Sequence, residues 1–228
     1  MTDLPILHHF DSSPFSEKVR LMFGLKGLAW KSVTIPNMMP KPDYTPLTGG
    51  YRRTPSLQVG ADVYCDTQII LAEIERRWPE PRAVRGGLDW AINLWADRPF
   101  FQATVPIIFG ALGERTPEAF LKDREQLSGR PFDVKAMKAA MGPMSQQWRG
   151  QAAWIEDQLA GSASGWLAGD GPGLADIAAW MNVWFLGGAL PDTLKALTVG
   201  MPRLAGWSGR VAALGHGRPE PMTGSEAL

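Results

Sequence analysis

The sequence predicts an α/β N-terminal domain of order βαβ–ββα, followed by an all-helical C-terminal domain. Three observations carry this. Short β-type runs fall in the first third of the chain, apolar residues beyond about 88 repeat at helical spacing, and Pro79, Pro81, Gly86 and Gly87 cluster between the two parts. The boundaries follow as residues 1–80 for the first domain, 81–87 for a linker and 88–228 for the helical domain.

Residues 5–10 (Pro-Ile-Leu-His-His-Phe) read as a strand, with His8 and His9 on opposite faces. A helix follows from Pro14, because Phe15, Val19, Met22 and Phe23 share one helical face. Pro14 suits the first helical position, Ser13 the N-cap before it, and Gly27 the stop. Residues 30–35 alternate like a second strand, so the opening strand–helix–strand is a right-handed parallel crossover. Residues 36–55 hold five Pro and two Gly and form a long irregular connection.

Residues 56–59 and 63–65 flank Gly60-Ala61-Asp62 as a hairpin. A helix over 67–78 has Ile70, Leu71, Ile74 and Trp78 on one face and Glu73 with Arg77 as an i,i+4 pair. Helical patterns then run through roughly 88–112, 117–127, 132–160, 174–187 and 202–214, with no strand among them. Pro99 and Pro106 are expected to kink or break the first. The Gly/Pro-rich tail after Leu214 is expected to lie loose or wrapped on the surface.

Composition narrows the function classes. Lys plus Arg and Asp plus Glu both total 23, so no basic field attracts nucleic acid. The ten Trp lie mostly beyond residue 77 and read as aromatic fillers of a helical core. A single cysteine, Cys65, excludes an intramolecular disulfide and a CxxC pair; flanked by apolar residues at a strand end, it reads as a buried inert thiol. Three His and one Cys without ligand spacing argue against a metal site. The N-terminus lacks the features of a signal peptide and no run of apolar residues is long enough to span a membrane, so a cytoplasmic protein is expected.

Three stretches carry the chemistry. Ser13 stands between a strand and a helix, at the positive end of the helix dipole. Its hydroxyl can accept an amide hydrogen bond while donating its own proton to an anion, and a thiolate bound there is stabilised. Taken singly it is also a plain N-cap, and Ser12 is one residue away. Pro55 precedes a strand. A cis Thr54–Pro55 bond would turn the Thr54 backbone outward as a sheet edge with which an extended peptide can pair. Asp66 caps the third helix, and the Thr67 N–H and hydroxyl in its first turn suit a carboxylate.

Joined in order, these stretches resemble the N-terminal domain of the cytosolic glutathione transferases. Residues 12–20, Ser-Ser-Pro-Phe-Ser-Glu-Lys-Val-Arg, look like the family's S/C-P-x-S-x-x-V-R start of the first helix. Thr54-Pro55-Ser56-Leu57 and Asp66-Thr67-Gln68-Ile69-Ile70 are similar to V-P-x-L and E-S-x-x-I. The resemblance covers residues 4–78 closely and the helical remainder more loosely, and Gly173-Leu174-Ala175-Asp176-Ile177 resembles the family's S/T-x-x-D-I helix cap.

The resemblance implies a thioredoxin-like domain that binds glutathione as co-substrate. Ser13 would bond the sulfur and favour its thiolate. Thr54 would pair with the cysteinyl backbone, with Pro55 cis. Thr67 would take the γ-glutamyl carboxylate and Asp66 would help with the amino group. Arg52 or Arg53 would reach the glycyl carboxylate by charge alone. The second substrate would sit between domains, against candidates such as Phe10, Trp95 and Phe101. The implied protein is a homodimeric, serine-type enzyme of detoxification that adds the thiolate to a small apolar electrophile. Asp-Thr replaces the usual Glu-Ser with shorter reach, no Tyr takes the early catalytic place, and Ser13 stands where thiol-active members carry Cys. Alternatives are a non-catalytic scaffold on the same fold, or isomerase, dehalogenase or etherase chemistry at the same site.

Overall fold

In the computed structural model, which describes residues 4–228, the alternation of β1 (Ile6–His9) puts Leu7 and His9 on one face of a sheet and Ile6 and His8 on the other. Helix α1 (Pro14–Leu25) returns the chain to β2 (Ala29–Thr34), which pairs parallel with β1, Leu7 opposite Ser32. A single turn, α2 (Tyr44–Leu47), interrupts the proline-rich connection. The hairpin of β3 (Ser56–Val59) and β4 (Asp62–Cys65) then leads into α3 (Thr67–Arg77). β3 is antiparallel to both β1 and β4.

Each face of the sheet is covered by different residues. Phe23 of α1 lies against Trp30 with ring centroids 5.2 Å apart, and Val19, Met22, Ile70, Leu71 and Ile74 of α1 and α3 are fully buried. On the other face Val33, Ile35, Tyr44 and Ala227 form a cluster with Ile6 and Met222 packed on it. The apolar spacing of α1 and α3 is therefore the spacing of a buried stripe.

The end of the chain departs from the sequence expectation of no strand beyond residue 88, and of the two courses expected for the tail, loose or wrapped on the surface, it takes the second. Arg218–Pro221 form a fifth strand, β5, parallel to β2, and the sheet order is β4-β3-β1-β2-β5. Pro219 and Pro221 are tolerated because β5 is an edge strand, where every second N–H points away from the ladder. The flanking amides do pair: Arg218 N–H donates to Leu28 O at 2.8 Å and Met222 N–H to Ser32 O at 3.0 Å. Gly24 is required where the tail crosses α1, because a Cβ there would stand 2.0 Å from Gly215 O. Gly217 has φ +68°, and a Cβ on it would stand 2.4 Å from Leu28 O. Residues 4–83 and Leu214–Leu228 thus form one compact unit, and Val84–Ala213 a second.

The second unit is helical: α4 (Gly87–Trp95), α5 (Phe101–Leu112), α6 (Glu118–Ser128), α7 (Val134–Gly161), α8 (Leu174–Ala189), α9 (Pro191–Leu197) and α10 (Pro202–Ala212). Pro99 acts as the sequence suggests: residues Ala96–Phe100 widen into a π-helical turn. Side chains also bond two carbonyls of this turn, Asn182 Nδ2 donating to Ala96 O at 3.0 Å and Gln151 Nε2 to Pro99 O at 3.3 Å. Pro106, by contrast, sits inside unbroken α5, which packs so closely on α7 that a Cβ on Gly110 would stand 2.9 Å from Met137 O. Asp176 at the start of α8 accepts the Gly173 N–H at 3.1 Å, the Leu167 N–H at 2.9 Å and the Trp207 indole N–H at 2.8 Å. Its burial pushes the carboxyl pKa up.

Candidate functional site

Strand register assembles the site. Ser56, the first paired residue of β3, lies opposite His8 on one side and Cys65 on the other. β1 and β4 therefore run the same way and end at the same edge of the sheet, where β3 begins. The segments that leave that edge are Phe10–Ser13, Thr54–Pro55 and Asp66–Thr67, and the N-termini of α1 and α3 both open there. The three stretches singled out in the sequence share one end of one sheet.

Ser13 caps α1 and is 3% exposed, whereas Asp11 and Ser12 are exposed. Its Oγ accepts the Ser16 N–H at 3.1 Å, which leaves the hydroxyl proton to point at a ligand. The turn before it is fixed: Ser13 N–H donates to Phe10 O at 3.1 Å. From α1, Arg20 donates to Phe10 O at 3.3 Å and to Asp11 O at 2.9 Å.

The Thr54–Pro55 peptide is cis, and Thr54 lies two residues ahead of the first ladder pair of β3. The loop is pinned by residues that sequence reasoning passed over. Lys41, 4% exposed, donates to Thr54 Oγ1 at 2.9 Å and to Arg52 O at 3.2 Å. Its ammonium stands 5.3 Å from the Tyr44 ring centroid. Tyr44 Oη donates to Arg53 O at 2.5 Å and stands 2.6 Å from Ser56 Oγ, and burial raises its pKa. The only advance signal for Lys41 was its place between Pro40 and Pro42. Arg53 is exposed.

Asp66 caps α3, its Oδ1 accepting the Gln68 N–H at 2.9 Å, and Thr67 behind it is buried. Asp66 has φ +76° and ψ +130°; among the described residues it alone, apart from glycines, has a positive φ. Such a backbone costs about 1–3 kcal/mol, and strain of this kind gathers at binding sites. Cys65 is half-buried rather than buried, with Sγ 3.5 Å from Ser56 Oγ. His8 and His9 are buried and engaged with Gln58 and Ser32 at 3.0 and 2.8 Å. Burial, with the Arg20 charge beside it, lowers the His9 pKa to about 4.

The edge presents two helix N-termini, a buried ammonium, a strand end ahead of its ladder and a hydroxyl with a proton to give. That arrangement suits an extended anionic peptide bearing a thiol. Among the described residues no group of three or more His, Cys, Asp or Glu is arranged to hold a metal ion, and no helix is long and apolar enough to cross a membrane.

Comparison with known proteins gives the family. Residues 7–82 match the glutathione S-transferase N-terminal domain and residues 139–210 the glutathione S-transferase C-terminal domain. No curated protein matches the chain. Among solved structures it is similar to a GST-like protein from Pseudomonas syringae at 34% identity and a TM-score of 0.77, over 100% of this chain and 73% of that one. The fold is shared with glutathione transferase GSTFuA3 from Phanerochaete chrysosporium, at 18% identity and a TM-score of 0.74, over 94% of this chain and 98% of that one. It is shared also with the beta-etherase LigF from Sphingobium sp. strain SYK-6, at 16% identity and a TM-score of 0.68, over 92% of this chain and 96% of that one. With a mixed sheet flanked by helices, a helical second unit and both domain matches in order, the chain belongs to the glutathione S-transferase family.

Proposed function

We propose that the protein is a serine-type glutathione transferase, which binds glutathione in the first unit and adds its thiolate to a small apolar electrophile. The observation that carries this is the Ser13 hydroxyl, buried at the N-terminus of α1 with its lone pair committed to the Ser16 N–H. Its proton then bonds the sulfur of bound glutathione, and the helix dipole adds to the effect. A thiol starts near a pKa of about 8.5, and lowering it two units takes about 2.7 kcal/mol, within reach of one charge-assisted bond plus a dipole.

The remaining contacts position the ligand. The Thr54 backbone pairs with the cysteinyl residue, and Pro55 sets the angle of that edge. Thr67 takes the γ-glutamyl carboxylate at the N-terminus of α3, and Asp66 bonds the amino group. Arg52, half-buried, or Arg53, exposed, would face the glycyl carboxylate, with buried Lys41 a third cation of the loop. The thiolate attacks carbon; from an aryl halide the halide then departs with the electron pair, and on an enone the resulting enolate takes a proton from solvent. Ser13 keeps its proton throughout, as donor rather than nucleophile. In the cytoplasm such an enzyme serves detoxification, and as in the family it would work as a homodimer.

The test is calorimetric titration with glutathione, followed by turnover on a panel holding an aryl halide, an enone and a β-aryl ether. Binding below millimolar with turnover of the halide or enone supports conjugation. Turnover confined to the ether moves the assignment to etherase chemistry, a reaction seen in LigF on this fold. Absence of glutathione binding makes the protein a scaffold.

A further inference from the structure

One connected set of polar groups runs from the exposed His216 of the C-terminal tail, through buried Glu17 and Arg20, to the turn that presents Ser13. His216 Nε2 lies 2.9 Å from Glu17 Oε1, and Glu17 is 3% exposed. Glu17 Oε2 accepts from Arg20 Nε at 2.8 Å and Nη2 at 2.6 Å. The same guanidinium donates through Nη1 to His9 Nδ1 at 3.0 Å and to Phe10 O at 3.3 Å, and through Nη2 to Asp11 O at 2.9 Å. Phe10 O is also the acceptor of the Ser13 N–H. His216 is itself held, because its carbonyl accepts the Trp30 indole N–H at 2.7 Å and Gly217 lies hard against Leu28.

We infer that His216 is a positioning residue for Ser13, acting through Glu17 and Arg20 on the Phe10–Asp11 turn; the inference rests on the role proposed for Ser13. The physical argument concerns the rotation of a carboxylate. Glu17 is buried and has two oxygens to satisfy. With His216 on one and the Arg20 fork on the other, its plane is fixed, and so is the guanidinium. Without the His216 donor the carboxylate turns to share one donor group between both oxygens. The fork then rotates, and the two carbonyls it holds shift with it. The Glu17 pKa fits this arrangement: burial works to raise it, yet the bonds and charges of His216 and Arg20 hold it below the ordinary carboxylate range. His216 lies outside both segments that match the family's domain models, residues 7–82 and 139–210.

The test uses the full chain as His216→Ala, His216→Gln and Arg20→Lys, with Ser13→Ala beside them. Two quantities are read: amide hydrogen exchange of residues 10–13, and the pKa of bound glutathione's thiol from its ultraviolet absorbance. His216→Ala is expected to speed exchange about tenfold, to raise the thiol pKa, and to lower kcat about fivefold at unchanged KM for the electrophile. His216→Gln, which restores an N–H donor to Glu17, recovers most of each. Arg20→Lys keeps the charge but cannot bond both carbonyls and Glu17, and reproduces the His216→Ala result even if the latter variant folds poorly. Unchanged exchange in His216→Ala and Arg20→Lys overturns the inference. Faster exchange with an unchanged thiol pKa overturns it too, leaving His216 as a tail anchor only. If Ser13→Ala alone leaves the thiol pKa unchanged, the role of Ser13 fails and the positioning role fails with it; a raised pKa there with unmoved His216 and Arg20 variants sinks only the inference.

Discussion

The side-chain amide of Gln58 donates to the backbone carbonyl of Ala227 at 2.9 Å, while its Oε1 stands 3.0 Å from His8 Nε2. The amide must therefore accept from His8, which fixes the His8 proton on Nε2. One buried side chain thus joins the last residues of the tail to the central strand of the sheet. Gln58→Ala leaves the Ala227 carbonyl and the His8 N–H buried without partners. The expected loss is about 3 kcal/mol, from roughly 1–3 kcal/mol for each orphaned group. A urea denaturation midpoint measures it, and a loss below about 1 kcal/mol contradicts the assigned contact.

The two buried histidines of β1 should make the fold sensitive to mild acid. Burial lowers the His8 pKa, and burial with Arg20 lowers that of His9 to about 4. Both folded values lie below the unfolded value of about 6.5, so the unfolded chain takes up protons first as pH falls. Their stabilising contribution is whole above about pH 6.5 and is lost progressively as pH falls toward the folded values. For His9 alone the loss between pH 7 and 5 is about 2 kcal/mol. Glu17, held below its ordinary range, loses its contribution only at lower pH still. Denaturation of the parent and of His9→Asn at pH 7 and pH 5 checks this: the asparagine variant should show the smaller drop.

In the second unit, Asp176 gathers three N–H donors at the start of α8. Asp176→Ala strands all three, the reach-back bond to the cap among them, and about 3–4 kcal/mol is expected to go with it. Asp176→Asn keeps the acceptor toward Leu167 and Trp207 but can present a donor to the Gly173 N–H, and about half that loss is expected. Thermal denaturation of the two variants ranks them, and equal stability of parent and Asp176→Ala contradicts the cap.

At the edge of the sheet, Thr67→Ala removes a hydroxyl from the first turn of α3 and leaves the cap on Asp66 intact. A tenfold weaker Kd for glutathione is expected, about 1.4 kcal/mol, with little change in melting temperature. Asp66→Asn keeps a side-chain acceptor for the Gln68 N–H and removes the charge, so it separates capping from ligand binding. Calorimetry on both variants decides; affinity equal to the parent's in each contradicts the placement of the γ-glutamyl end.

Much of this was legible in the chain because it rests on local signals. The period of Val19, Met22 and Phe23, the caps at Ser13 and Asp66, and the hairpin at Gly60 each depend on a few adjacent residues. β5 was illegible for a physical reason. Arg-Pro-Glu-Pro has no β-type pattern, all four residues are exposed, and the strand exists only because β2 offers it an open edge. Lys41 was missed because a lysine in a proline-rich loop reads as solvated, and only the packing of Tyr44 and the Thr54 loop buries it. The π-turn at Pro99 was half legible: the proline marks the defect, but Asn182 and Gln151, which bond carbonyls of the turn, come from distant helices. Strain at Asp66 had no sequence signal, since aspartate caps helices without it far more often.

The central claim is that the buried Ser13 hydroxyl lowers the pKa of bound glutathione's thiol, and the direct measurement is a pH titration of thiolate absorbance in the parent and Ser13→Ala complexes. The account predicts a thiol pKa about two units below the free value of about 8.5 in the parent, most of which is lost in the variant while glutathione still binds. Equal thiol pKa values in the two complexes would contradict it.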